Sequence, residues 1–183
     1  MGKTLWLDTL ANYYDVKKKD KFNELFGNLY VGKNPTPLKN KFLVWKLDFS
    51  KIRVSSDIQV IEKSFDEYVT NSIREFQQEY RDYLLDYKIN FEEQNSINRT
   101  NQFLSAVKLS GYKLYILIDE YDNFTNELIA TGRSEDYSQL VTGDGLLKSF
   151  FKVLKAGTIG AIDRMFVTGV TPITLADLSS SFN

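Results

Sequence analysis

The first residues with the types and spacing for chemistry are two acids at the end of an apolar run. Lys113 to Ile118 reads KLYILI and passes directly into Asp119-Glu120-Tyr121-Asp122. Carboxylates at the C-terminal end of a buried parallel strand lie at the rim where open α/β sheets bind ligands. They are costly to desolvate unless a cation or hydrogen bonds compensate. Side chains alternate along a strand, so Asp119 and Glu120 point in different directions. One can then face a metal ion and the other a water. Carboxylates in this position also cap the helix that follows, and for the acids taken alone both readings stand. A second candidate is Gly2-Lys3-Thr4, which opens a helical pattern. A helix N-terminus favours anions; there a lysine can reach phosphate oxygens and a hydroxyl can bind Mg²⁺. The tripeptide by itself is a weak signal. The third is Thr168, which closes Phe166-Val167. It is a hydroxyl at the end of the last strand, at the rim where ligands bind, or simply a β-branched residue completing a strand.

Absent residue types narrow the chemistry further. The 183-residue chain has no Cys and no His. Thiol nucleophiles, disulfides, imidazole acid–base catalysis and nearly all zinc chemistry are therefore excluded. Any metal is expected to be a hard, oxygen-bound cation such as Mg²⁺. With 23 basic against 24 acidic residues there is no global field for wrapping nucleic acid. Lys17-Lys18-Lys19 is the one basic run, and such a run is usually a solvated turn. A composition of 43% hydrophobic and 26% charged residues is that of a globular domain with its own core. No apolar stretch approaches the roughly 20 residues that span a bilayer. The N-terminus lacks the apolar core of a signal peptide, and the pI is near 5.6, so the expected location is the cytoplasm and no membrane is expected as a partner.

The candidate residues need elements to hold them. Leu5, Trp6, Thr9, Leu10, Tyr13 and Tyr14 recur at helical spacing. A short helix is expected over Phe22 to Leu25, stopped by Gly27, and Asn34-Pro35-Thr36-Pro37 forces an extended loop. Lys41 to Phe49 (KFLVWKLDF) suits a buried strand. From Asp57, apolar residues at Ile61, Phe65, Tyr68, Val69, Ile73, Phe76, Tyr80, Leu84 and Tyr87 predict one long amphipathic helix. A further helix is expected from Ser96 to Leu109, ending before Gly111. The polar stretch from Tyr121 to Gly145 exceeds an ordinary connection and is a candidate functional loop. Gly145 to Leu154 is expected as a helix and Arg164 to Thr168 as the last strand. Alternating strands and helices call for an α/β fold with a covered parallel sheet.

The order of parts is a GKT-helix, a strand, long helices, a strand ending in Asp-Glu, a helix and a strand ending in Thr. An apolar strand closed by Asp-Glu is the Walker B pattern, and Gly-Lys-Thr is the end of a P-loop. The wording of Gly2 to Leu10, Tyr30-Val31-Gly32-Lys33, Lys41 to Ser50, Leu117 to Asp122 and Phe166 to Ile173 resembles the predicted AAA-ATPase-like proteins of bacteria. The resemblance covers essentially the whole chain, and IDEYDN with VTGVTPI is its most specific part. It implies a P-loop NTPase-like three-layer fold over residues 1–183 as a single domain, with ATP and Mg²⁺ as ligands.

Carried over by resemblance, Gly2, Lys3 and Thr4 would bind the nucleotide. Lys3 would meet the phosphates, and Thr4 and Asp119 would ligate Mg²⁺. Glu120 would orient the attacking water, and Thr168 would act as the sensor. Arg133 and Arg164 are weak candidates for an arginine finger. The family also carries a strand and a basic loop before its GKT, and a further strand, a lid and often a nuclease-like domain after the last matching stretch. The chain is therefore expected to be a partial domain whose sheet lacks its first and last core strands. In the order 5-1-4-3-2 the three remaining strands would be neighbours, and the edge at Arg164 to Thr168 would promote self-association. The nuclease-like domain implies DNA as a partner of the longer protein, which nothing in this chain's charge supports. The alternative function is a catalytically inactive fragment acting as a protein-interaction module.

Overall fold

The computed structural model describes residues 2–84, 88–92 and 95–170. Three parallel strands form the sheet: β1 (Phe42–Asp48), β2 (Lys113–Asp119) and β3 (Ile162–Val167), in the order β1-β2-β3. β2 is central, as the family order implies. Its register sets Asp48 against Asp119, while Ile118 faces Val167. Eight α-helices accompany the sheet among the described residues: α1 (Gly2–Tyr14), α2 (Phe22–Phe26), α3 (Tyr30–Lys33), α4 (Ile58–Glu79), α5 (Ser96–Ser110), α6 (Asn123–Ala130), α7 (Ser134–Val141) and α8 (Leu146–Gly157).

Period-two alternation divides the strands between two faces. Leu43, Trp45 and Leu47 of β1 with Leu114, Ile116 and Ile118 of β2 enter the larger core, which α4 to α8 cover. That core is aromatic: Trp45 meets Phe103 at 4.8 Å, Phe65 meets Phe150 at 5.2 Å, and Phe76 meets Phe103 at 4.9 Å between ring centroids. Phe42, Val44, Tyr115 and Leu117 face the other way, towards Leu7, Leu10, Ala11 and Tyr14 of α1. Three layers result, an α/β fold of the P-loop NTPase-like kind.

Caps fix the helix starts. Asp57 accepts Gln59 N at 2.9 Å, opening α4, and Asn95 accepts Ile97 N and Asn98 N, opening α5. Gly111, with φ at 79°, closes α5 in the left-handed conformation.

Two sequence expectations are corrected. The long helix does not run to Tyr87. α4 ends at Glu79 with Tyr80 as its cap, and 81–84 form a turn. The reason lies in Tyr80, whose buried hydroxyl is tied to Val44 N at 3.1 Å on the strand edge. The later aromatic Tyr83 packs from that turn against Tyr80 and Tyr112, and residues 85–87 lie outside the described ones. The polar stretch after Tyr121 is not a loop. It folds as α6 and α7, because Phe124, Thr125, Leu128, Leu140 and Val141 give each short helix a buried face. The helix expected at the N-terminus forms, with Leu10, Tyr13 and Tyr14 packed inward, while Leu5 and Trp6 are 69% and 54% exposed. The face on the sheet begins at Leu7.

Candidate functional site

The alternation that sorts the core also aims the candidate side chains. Tyr115, Leu117 and Asp119 share one face of β2, and Phe166 and Thr168 share the same face of β3 and the residue after it. That is the face α1 covers. Along α1, Thr4 lies one turn before Leu7 and Asp8. Leu7 enters the core, and Asp8 pairs with Lys46 of β1 at 2.5 Å. The faces of α1, β2 and β3 therefore direct Thr4, Asp119 and Thr168 towards one point.

They meet there. The Thr4 hydroxyl donates to Asp119 Oδ2 at 3.0 Å across 115 residues. The Thr168 hydroxyl donates to Asp119 Oδ1 at 2.5 Å across 49 residues. Asp119 is buried, and the Glu120 amide also donates to its Oδ1, at 3.1 Å. Three donors thus hold this carboxyl group in one orientation. Lys3 lies beside it: its Nζ donates to Gly169 O at 3.3 Å, so the first turn of α1 is bound to the ends of both β2 and β3. Gly2 begins α1 with open space around it. The N–H groups of the first helical turn have no partner within the helix.

Glu120 leaves the strand. Its φ of 49° is left-handed, an uncommon conformation for a residue other than Gly, Asn or Asp. The reversal starts the tight turn in which Asn123 N donates to Glu120 O at 3.0 Å. The glutamate therefore stands at the rim, half-buried, next to the carboxylate that closes the strand.

Two residues that sequence reasoning left without a role complete the site. Asp122 is fully buried, and its Oδ1 and Oδ2 accept the Val170 amide at 3.1 and 2.9 Å. With Thr168 N on Ile118 O and Tyr121 N on Thr168 O, it fastens the segment after β3 to the turn after β2. Gly169 makes this approach feasible, since a Cβ there would lie 2.2 Å from Tyr121 Cε1 and 2.6 Å from Asp122 Oδ1. The available signal was their adjacency to Asp119 and Thr168, but an acid three residues past a strand end also fits an ordinary helix start.

The two arginines stand elsewhere. Arg133 donates to Ser55 O and Ser56 O and pairs with Asp136 at 2.7 Å, holding the start of α7 to the chain before α4. Arg164 faces Tyr115 in the register and pairs with Asp163, about 13 Å down the strand from Asp119 at 3.3 Å per residue.

The donor set fits a hard cation bound together with phosphates. Mg²⁺ usually takes one or two carboxylates, keeps waters and shares substrate oxygens. One buried carboxylate and one hydroxyl, next to a lysine and a helix N-terminus, match that pattern. Among the described residues no three carboxylates gather into a cage. A parallel α/β sheet whose strand ends meet a helix N-terminus at a single carboxylate places the protein in the P-loop NTPase-like class. A family model described as Predicted AAA-ATPase matches residues 1–179, and the chain belongs to that AAA-ATPase-like family. No curated relative and no solved structure matches it. Among the described residues no helix is long and apolar enough to cross a membrane.

Proposed function

We propose that this chain, taken as one domain over residues 1–183, binds ATP with Mg²⁺ at the junction of α1, β2 and β3 and hydrolyses it. The observation that carries the proposal is the convergence of the Thr4 and Thr168 hydroxyls on the two oxygens of Asp119. Structural capping asks for a carboxylate on the amides of the next helix. It does not ask for two distant hydroxyls.

Each residue has its part. The Lys3 ammonium pairs with phosphate oxygens and gives up its contact with Gly169 O. The N–H groups of the first turn of α1 add their dipoles to the same charge. The Thr4 hydroxyl donates its hydrogen bond to Asp119, which leaves its oxygen lone pairs for a cation. A bound Mg²⁺ supplies charge neutralisation at the phosphates. Glu120, at the rim, accepts the proton of the attacking water and orients it. Thr168 touches the same carboxylate, so its position reports the state of the phosphate end. Catalysis in such sites is positioning and charge stabilisation.

The test is a titration of purified protein with fluorescent ATP and Mg²⁺. Micromolar binding is expected, lost in Lys3→Ala and weakened at least about tenfold in Asp119→Asn. Glu120→Gln should keep the binding and stop turnover, since it removes the proton acceptor but leaves the phosphate contacts. Binding indifferent to Lys3→Ala, or none at all, would overturn the proposal and leave a non-catalytic interaction module.

A further inference from the structure

The segment between α1 and β1 differs in charge from the rest of the chain. Residues 16–41 hold seven lysines against two acids, within a protein of net charge −1. Such asymmetry sets up a local positive field. Three of these lysines, Lys19, Lys39 and Lys41, line a cavity of about 400 Å³ together with Thr36, Asn40 and Tyr112. Lys41 immediately precedes β1 and Tyr112 immediately precedes β2, so the cavity lies at the end of the sheet opposite Asp119, about 20 Å away along seven residues of strand. Among the described residues no carboxylate lines it. The cavity at the starts of α4, α5 and α8 is different, because there Glu62, Asp66 and Asp144 accompany Lys63.

The lining is partly fixed in place. Lys39 Nζ stands over the Phe22 ring at 4.3 Å. The Thr36 amide donates to the Tyr13 hydroxyl at 2.8 Å, and the Thr36 hydroxyl accepts from it at 3.3 Å. Lys19 and Lys41 are exposed and have no ion-pair partner among the described residues. Asn40 is the best-anchored member. It is buried, its amide N donates to Tyr13 O at 3.0 Å, and its Nδ2 donates to Asp15 O at 2.8 Å.

We propose that this cavity is a second binding site, for a small phosphorylated molecule. Three ammonium groups suit a dianionic phosphate better than a single carboxylate, which would leave charge uncompensated. The volume is that of a small-molecule pocket. The site uses none of the residues assigned to ATP, so it stands or falls independently of that proposal.

Glycerol 3-phosphate, a phosphomonoester with free hydroxyls, is a suitable probe, followed by amide NMR on isotope-labelled protein. Saturable shifts are expected at the Asn40 side-chain amide and the Lys41 amide, with none at Lys3 or Thr4. The exposed double variant Lys19→Ala/Lys41→Ala should weaken the binding at least about tenfold, and Lys3→Ala should leave it unchanged. Glycerol alone, or sodium chloride at matched ionic strength, should not reproduce the shifts. Equal shifts with sodium chloride would overturn the proposal. So would a response spread over residues 16–41 that a single-stranded oligonucleotide produces more tightly, because the segment would then be a polyanion surface and not a pocket.

Discussion

The Asp122 carboxylate is fully buried, and both of its oxygens accept one amide, that of Val170. Asp122→Ala leaves that N–H without its acceptor and opens a small cavity. The expected cost is about 2–4 kcal/mol, a lost buried hydrogen bond to a charged group plus packing. For a chain of this size that lowers Tm by about 5–15 °C in a thermal melt. Asp122→Asn keeps a carbonyl oxygen for Val170 and should lose less than half as much. Equal losses for the two variants would show that the charge, and not the acceptor, matters. Gly169→Ala tests the same junction from the other strand. Its Cβ would meet the buried Tyr121 ring at 2.2 Å, so the ring or the strand end must shift. A loss of about 1–3 kcal/mol is expected from the overpacking. Nucleotide affinity should fall with it, because Thr168 and the Lys3 contact at Gly169 O move together.

At the scale of elements, α4 shields the outer edge of β1 with two tyrosines. The Tyr80 hydroxyl accepts Val44 N at 3.1 Å and the Tyr68 hydroxyl accepts Asp48 N at 2.6 Å, so side chains occupy ladder positions that would otherwise be open to another strand. Burial pushes the Tyr68 phenol up to about 12 from its ordinary value of about 10. Burial, with the Asp15 charge next in importance, raises Tyr80 as well. The folded state thus keeps protons that the unfolded chain releases from about pH 10 upwards. The stability they contribute is complete below about pH 10 and is lost as pH rises through about 12. Denaturant melts at increasing pH should show this decline, and Tyr68→Phe should flatten it. A variant with an unchanged alkaline slope would rule out the edge tyrosine as its source. These bonds also explain what the sequence left unread. Strand identity, the order of elements and the face of Asp119 follow from apolar runs and alternation. The end of α4 does not, because a tertiary bond at Tyr80 stops a pattern that continues to Tyr87. α6 and α7 were hidden because each buries only two or three side chains within a polar composition. The meeting of Thr4, Asp119 and Thr168 was legible from the family motifs and their faces. The clamp by Asp122 was not, since its partner is a backbone amide, which every residue but proline offers.

Over the whole molecule the two faces of the sheet are unequal. The aromatic core beneath α4 to α8 is extensive, whereas α1 is held to the sheet by the fully buried Leu7 and the partly buried Leu10, Ala11 and Tyr14, its other buried side chain, Tyr13, packing at its far end on Phe22 and Phe26. The element bearing Lys3 and Thr4 is therefore the more lightly anchored one, joined to the strand ends by hydrogen bonds at its first turn. Leu7→Ala should cost about 2–5 kcal/mol and speed amide exchange in α1 more than in α4 or α5. A ligand that bridges α1 to β2 and β3 should do the reverse. At a hundred times its Kd, Mg²⁺-ATP stabilises by about 2.7 kcal/mol, which corresponds to about 5–10 °C in Tm. Protection should appear first in the amides of α1, where binding replaces a fraying terminus with a charged partner. Lys3→Ala should abolish the thermal shift and the α1 protection together. If nucleotide raised Tm while the exchange of α1 stayed as fast as before, the ligand would be bound elsewhere, and the junction at Asp119 would be a strut between helix and sheet.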